Sequence, residues 1–409
     1  MEENHLQELC QNCESCVTKP CQIGCPLMND ITTSIQYMKQ KDYENAYLTL
    51  NQTSILMSIC GRICPRKEQC EGRCVKGVSF EPVQIGVLES TIGDMGLNYS
   101  WNQPRTEETK YHVALIGGGP ASLTCAYFLR LHGISVTIYE KHAYLGGLLS
   151  HGIPEFRLPQ EVVQKTIDKI LQTKMEVKYH MELGKNLTIE ELENQYDAIF
   201  IGIGANTPNE LAIPGIKKQG VFYANEFLEQ KKSLSFQDKT VAVYGGGNTA
   251  MDMARIAARK GAKKVFVLYR RNQEKMSADE IEREEAKQDG VEFLLETSLV
   301  EILGEDKVEK ISIMKTKDMG EKLENVQDSN IELLCDYVFI AIGSHLEGTF
   351  PLELTDNHKI KIDANGHTSH PKIYAGGDAT GTKSIVAYAS RSGRNAAYEI
   401  IKNLTKESS

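Results

Sequence analysis

At 409 residues the chain is long enough for two or three domains, and 41% apolar with 25% charged residues excludes a mostly disordered polymer. With no apolar run of about 18 residues, no membrane-spanning helix is expected. Met1 to Glu8 lack the layout of a signal peptide, so a cytoplasmic location is expected. The balance of 46 basic against 55 acidic residues, −9 overall, argues against a nucleic-acid partner.

The first hundred residues hold the unusual feature. Of 11 cysteines, nine fall between Cys10 and Cys74, and Cys125 and Cys335 stand alone. Between them, Ile31, Ile35 and Met38 after Asp30, then Tyr43, Ala46, Tyr47 and Leu50, fall at helical spacing. Trp101 to Lys110, with Pro104, reads as a linker. Two similar units follow. Strand Val113–Ile116 leads into Gly117-Gly118-Gly119-Pro120-Ala121-Ser122, a helix to about Leu131, and strand Val136–Tyr139 ending at Glu140. Strand Thr240–Tyr244 leads into Gly245-Gly246-Gly247-Asn248-Thr249-Ala250, a helix to about Lys260, and strand Val265–Leu268. Two such starts predict an α/β chain with two Rossmann-like dinucleotide-binding domains on parallel sheets. Ser277 to Gln288 reads as a charged helix whose Glu282-Arg283-Glu284-Glu285 run is a solvated face. Ala341-Ile342-Gly343 and Ala375-Gly376-Gly377-Asp378 end later strands, and Lys383 to Leu404 reads as a last helix.

The cysteines form two groups, Cys13-x2-Cys16-x4-Cys21-x3-Cys25-Pro26 and Cys60-x3-Cys64-Pro65-x5-Cys70-x3-Cys74, with Cys10 ahead of the first. Short-spaced thiolates with a proline after a ligand suit iron–sulfur cubanes. Structural zinc is the alternative, but it favours separate C-x2-C pairs. Here only Cys10/Cys13 and Cys13/Cys16 have that spacing, and they overlap.

In each glycine turn the first glycine permits the tight bend and the next lets the backbone approach a pyrophosphate at the helix N-terminus. The strand ends differ. Glu140 is an acceptor for ribose hydroxyls, which suits FAD or NAD, whereas Tyr269-Arg270-Arg271 offers two guanidinium forks for a 2′-phosphate, which suits NADP. Gly377-Asp378 is placed to hold a flavin's ribityl chain. Scattered histidines such as His112, His151 and His180 read as structural.

With these motifs in this order, the chain resembles the electron-input module shared by dihydropyrimidine dehydrogenase and the small subunit of glutamate synthase, over nearly its whole length. That resemblance implies one 4Fe–4S cluster on Cys13, Cys16, Cys21 and Cys74, and a second on Cys25, Cys64, Cys70 and Glu89, with Cys10 and Cys60 spare. It implies FAD at Gly117, Gly118, Gly119, Pro120, Ala121, Glu140, Gly147, Leu148, Arg157, Gly377 and Asp378. It implies the nicotinamide cofactor, NADPH with NADH left open, at Gly246, Gly247, Asn248, Thr249, Arg270, Arg271, Ala341 and Gly343. A third basic residue that some NADP-using relatives carry is Ser277 here. The expected domains are a helical cluster domain over 1–105, a FAD domain over 106–230 and 336–409, and an NAD(P)H domain over 231–335. Electrons would run from NADPH through FAD and two 4Fe–4S clusters to a catalytic partner subunit, an FMN-type barrel as in dihydropyrimidine dehydrogenase or a glutamate synthase large subunit. A cluster-bearing scaffold without nicotinamide activity is the other-class reading. No catalytic side chain is demanded.

Overall fold

Two helix starts near the N-terminus are set by carboxylates that take up otherwise free backbone donors. Asp30 accepts from the N–H of Thr33 and Asp42 from that of Asn45, as N-caps do. The structure, a computed structural model, describes residues 2–103, 105–230, 233–320, 322–348 and 351–406. Pro104, within the expected linker, and the domain boundary expected after 230 touch residues outside that set.

The cysteine-bearing part contains α1 (Glu3–Gln11), α2 (Pro20–Gly24), α3 (Ile31–Lys39), α4 (Tyr43–Asn51), α5 (Met57–Ile63) and α6 (Ile85–Asn98). Leu6, Ile35, Met38, Tyr47, Leu50 and Ile92 bury a shared apolar core. The helical spacing expected from Tyr43 to Leu50 is the buried face of α4.

This part belongs to one compact unit with the first parallel sheet; the unit runs to Ser150, then Glu155–Ala205, and from Leu346 onward. Its elements are β1 (His112–Ile116), α7 (Pro120–Leu131), β2 (Ser135–Glu140), α8 (Leu148–His151), α9 (Gln160–Leu171), β3 (Glu176–Tyr179), α10 (Ile189–Glu193), β4 (Ala198–Ile201), β16 (Ile373–Ala375) and α14 (Val386–Lys406). The strand order is β16-β4-β1-β2-β3. Val113 pairs with Val136, Leu115 with Phe200, and Phe200 with Tyr374, all in parallel. The unbroken apolar runs of β1 and β4 are buried throughout, as parallel strands covered on both faces must be. Tyr127 on α7 donates to Asn51 on α4 at 2.6 Å, a buried tie between sheet and helices.

The second unit takes in Asn206–His345 and His151–Pro154. It contains β5 (Thr207–Pro208), β6 (Val221–Tyr223), α11 (Ala224–Glu229), β7 (Thr240–Tyr244), α12 (Asn248–Arg259), β8 (Lys264–Tyr269), α13 (Glu280–Gln288) and β9 (Glu292–Leu295). Then come β10 (Thr297–Leu303), β11 (Lys310–Asp318), β12 (Leu323–Asn325), β13 (Ile331–Leu334), β14 (Tyr337–Ile340) and β15 (Ser344–His345). Its parallel sheet has the order β6-β14-β7-β8-β9, and β10 to β13 form a separate antiparallel sheet. The expected limits of 231 and 335 move outward, because β6 and β14 hydrogen-bond to each other and β14 to β7.

The acidic run is also corrected. Glu282 is buried at 7% exposure and pairs at 2.8 Å with Arg255 of α12, itself 2% exposed. Glu285 and Asp289 bind the same guanidinium, so this face of α13 is an ion-pair seam rather than a solvated surface.

Candidate functional site

In the first unit Gly117 turns with φ of +90°, a conformation that favours glycine, and its N–H donates to Tyr139 at 2.7 Å. Gly119 caps α7 and Pro120 opens it, where a missing N–H costs nothing. A Cβ added at Gly119 would meet only the carbonyl of Gly202, at 3.9 Å, so a phosphate can come close to bare backbone there. Gly147 lies 3.2 Å from Gly119 and Gly377 lies 3.3 Å from Ala121, measured from where their Cβ atoms would stand. The structure thus brings the Gly117–Ala121 turn, Gly147 and Gly377 together into one cradle of small residues beside a helix N-terminus, which fits a dinucleotide pyrophosphate.

Glu140 is 5% exposed and held in place at the end of β2. It accepts the Gly118 N–H at 2.6 Å and the His142 N–H at 2.8 Å. A carboxylate has about four lone-pair sites, so capacity remains for ribose hydroxyls. Asp378 follows Gly377, and burial raises its carboxyl above the usual range, with Lys359 and Ser384 opposing. Leu148 opens α8 directly after Gly147, and Arg157 is half-buried in the loop before α9. Ser392, which is not among the residues expected from the sequence, accepts the Gly377 N–H at its Oγ at 2.8 Å. A serine in a helix facing a small-residue turn was its only signal.

The second turn repeats the backbone with different chemistry. Gly245 N–H donates to Leu268 at 3.0 Å, and Gly247 caps α12. Where Gly118 faces Glu140, Gly246 faces the ring of Tyr269, 2.4 Å from where its Cβ would stand. Arg270 and Arg271 follow, both exposed. A Cβ at Gly247 would meet only Ser277 Oγ, at 3.2 Å, so Ser277 stands at the mouth of this turn. Asn248 accepts the Asp279 N–H at 3.1 Å, and Thr249 follows it in the first turn of α12. Ala341 backs Gly245, and Gly343 turns with φ of +92°.

Cys13, Cys16, Cys21 and Cys74 line one pocket, walled by Ile31, Ile35, Val83 and Ile85. Four soft thiol donors in an apolar pocket suit a cubane. Among the described residues no three or more His, Cys, Asp or Glu side chains are gathered as a metal ion needs; a cubane is a larger body. Cys10 lies outside that lining and is buried, which pushes its thiol up to about 11. Cys25, Cys60, Cys64, Cys70 and Glu89 form the second group. Glu89 and Cys64 raise the thiols of Cys25, Cys60 and Cys70 alongside burial, so the five lie within reach of one another's charge. Desolvation raises the Glu89 carboxyl to about 7 while a 2.9 Å hydrogen bond from Asn29 lowers it. Glu89 is therefore a half-buried acid on α6, not an exposed one. Cys60 hydrogen-bonds Cys64 and remains beside it as the competing donor.

Residues 111–396 match the pyridine nucleotide-disulphide oxidoreductase family, and residues 1–101 match the domain described as dihydropyrimidine dehydrogenase domain II, 4Fe-4S cluster. The chain belongs to the pyridine nucleotide-disulphide oxidoreductase family, with an iron–sulfur domain at its N-terminal end. It is 31% identical to the glutamate synthase [NADPH] small chain of Escherichia coli over 97% of this chain and 90% of that one. It is 32% identical to the putative oxidoreductase AegA of Escherichia coli, covering 93% of this chain and 63% of AegA. Among solved structures, Mycobacterium tuberculosis FprA in complex with NADPH shares the fold at a TM-score of 0.64 and 19% identity, over 73% of this chain and 85% of that one. Lactococcus lactis thioredoxin reductase does so at 0.58 and 23%, over 73% and 100%. No helix of the described residues is long and apolar enough to cross a membrane.

Proposed function

We propose that this chain is the NADPH-oxidising electron-input subunit of a larger enzyme. The observation that carries the reading is the combination, in one chain, of two glycine turns with unlike strand ends and a four-thiol cavity. When bound, FAD takes an electron pair from NADPH and releases electrons singly, and 4Fe–4S clusters carry them singly. Gly117–Ala121, Gly147 and Gly377 would cradle the FAD pyrophosphate, Glu140 the ribose, and Leu148, Arg157 and Asp378 the rest of the flavin. Gly246, Gly247, Asn248, Thr249, Ala341 and Gly343 would hold NADPH, with Arg270 and Arg271 on its 2′-phosphate. Cys13, Cys16, Cys21 and Cys74 would hold one cluster, and Cys25, Cys64, Cys70 and Glu89 the other.

Two partners fit. The match of residues 1–101 supports the dihydropyrimidine dehydrogenase reading with an FMN-type barrel. The small-chain relatives, at 31% and 32% identity, support a glutamate synthase large subunit. Anaerobic addition of NADPH to the reconstituted protein tests the core reading. Flavin absorbance should bleach and a reduced-cluster EPR signal should grow. Flavin that stays oxidised would leave the scaffold reading standing. Co-purification from native cells separates the two partners.

A further inference from the structure

Three consecutive residues of α14 hold three different bodies. Successive helical residues are about 100° apart, so three of them cover more than half the circumference. Ser392 Oγ accepts the Gly377 N–H at 2.8 Å. Gly393 lies flat on the first glycine turn: a Cβ there would stand 2.0 Å from the carbonyl oxygen of Ala121. Arg394, 9% exposed, points the other way and donates from one Nη1 to the carbonyls of Leu27 at 2.9 Å and Thr53 at 2.7 Å.

Those two carbonyls belong to the segments that shape the second cysteine group. Leu27 stands two residues after Cys25, in the turn where the Met28 N–H donates to the Cys25 carbonyl at 2.9 Å. The Asn29 side chain, fully buried, donates to Glu89 Oε1 at 2.9 Å and accepts the Thr53 hydroxyl at 2.6 Å. One stretch of α14 therefore holds the cradle of small residues on one side and, on the other, the Leu27 loop beside Cys25 and, through Thr53 and Asn29, Glu89. A buried guanidinium given over to two backbone carbonyls is a costly arrangement for a surface-tethered helix, and a sufficient one for fixing two loops at once.

We propose that Ser392-Gly393-Arg394 is a clamp that sets the flavin cradle against the second cluster, with Arg394 and Asn29 as positioning residues for that cluster. The proposal rests on the functional reading above. Its atoms touch neither substrate nor reacting groups; they fix where Cys25 and Glu89 stand.

The test uses reconstituted full-length protein and the variants Arg394→Met, Arg394→Lys and Thr53→Val. The readouts are iron and flavin content, EPR of the dithionite-reduced protein, and cluster midpoint potentials. Arg394→Met should shift the g-values and potential of one cluster, or lose that cluster, with the other cluster and the flavin retained. Arg394→Lys should restore part of the parental signal, and Thr53→Val should perturb the same cluster less. Equal changes in both clusters, or none in either, would overturn the clamp. Should Arg394→Met fail to fold, the other two variants decide by the same criterion. A parent protein with only one cluster would overturn the functional reading itself, whereas two parental clusters indifferent to all three variants would overturn the clamp alone.

Discussion

The two units solve one local problem with the same backbone and differ in what braces it. In the first, the strand end is a carboxylate pinned by two backbone N–H groups, and the small residues of three chain segments pack on the turn. In the second, an aromatic ring covers the turn, two arginines stand exposed beyond it, and a buried guanidinium ringed by carboxylates ties α12 to α13. A pinned acceptor suits a group that stays; exposed cations suit a charged ligand that comes and goes.

The comparison breaks most sharply at Gly119. Gly119→Val puts a side chain into the open space beside the first turn, and the purified protein should lose its flavin absorbance entirely while keeping iron. Flavin retained in that variant would assign FAD to the second unit. Glu89→Ala should alter or remove one cluster EPR signal, and Cys60→Ala should leave both; the reverse outcome gives the eighth ligand position to Cys60.

The second unit is tested by changing Arg270 and Arg271 to Ala. Each charge-assisted bond to a phosphate contributes about 1.5–3 kcal/mol, so KM for NADPH should rise by on the order of 10²–10⁴ and KM for NADH little. Equal rises for both cofactors would remove the 2′-phosphate assignment. The smallest effect is expected at Glu282→Gln, which leaves Arg255 with two of its carboxylates. It should cost the second unit about 2 kcal/mol, read as a lower thermal midpoint, with the flavin spectrum unchanged.

What the sequence made legible was local. Each glycine turn is written in about a dozen adjacent residues, strand first and helix after, and the structure places both as expected. The thiols of Cys13, Cys16 and Cys21 reach one cavity because α2 and its flanks are short, and Cys74 joins them there. The unit boundaries were not legible, since β6 and β14 enter the second sheet by pairing with each other across more than a hundred residues of chain. Nor was the role of Glu282: a charged run looks the same whether water or a buried arginine faces it. Arg394 carried no sequence signal, because its partners are backbone carbonyls, which every residue has.

The clamp also fixes an order of manufacture. Arg394 lies 367 residues after Leu27, so the loop that presents Cys25 leaves the ribosome long before the side chain that will hold it. The first thiol cavity closes from residues 13–85 alone and can be complete early in synthesis. The second group reaches its final shape only when the last helix docks. A nascent chain stalled before residue 394 should therefore carry one finished cluster pocket and one loose one.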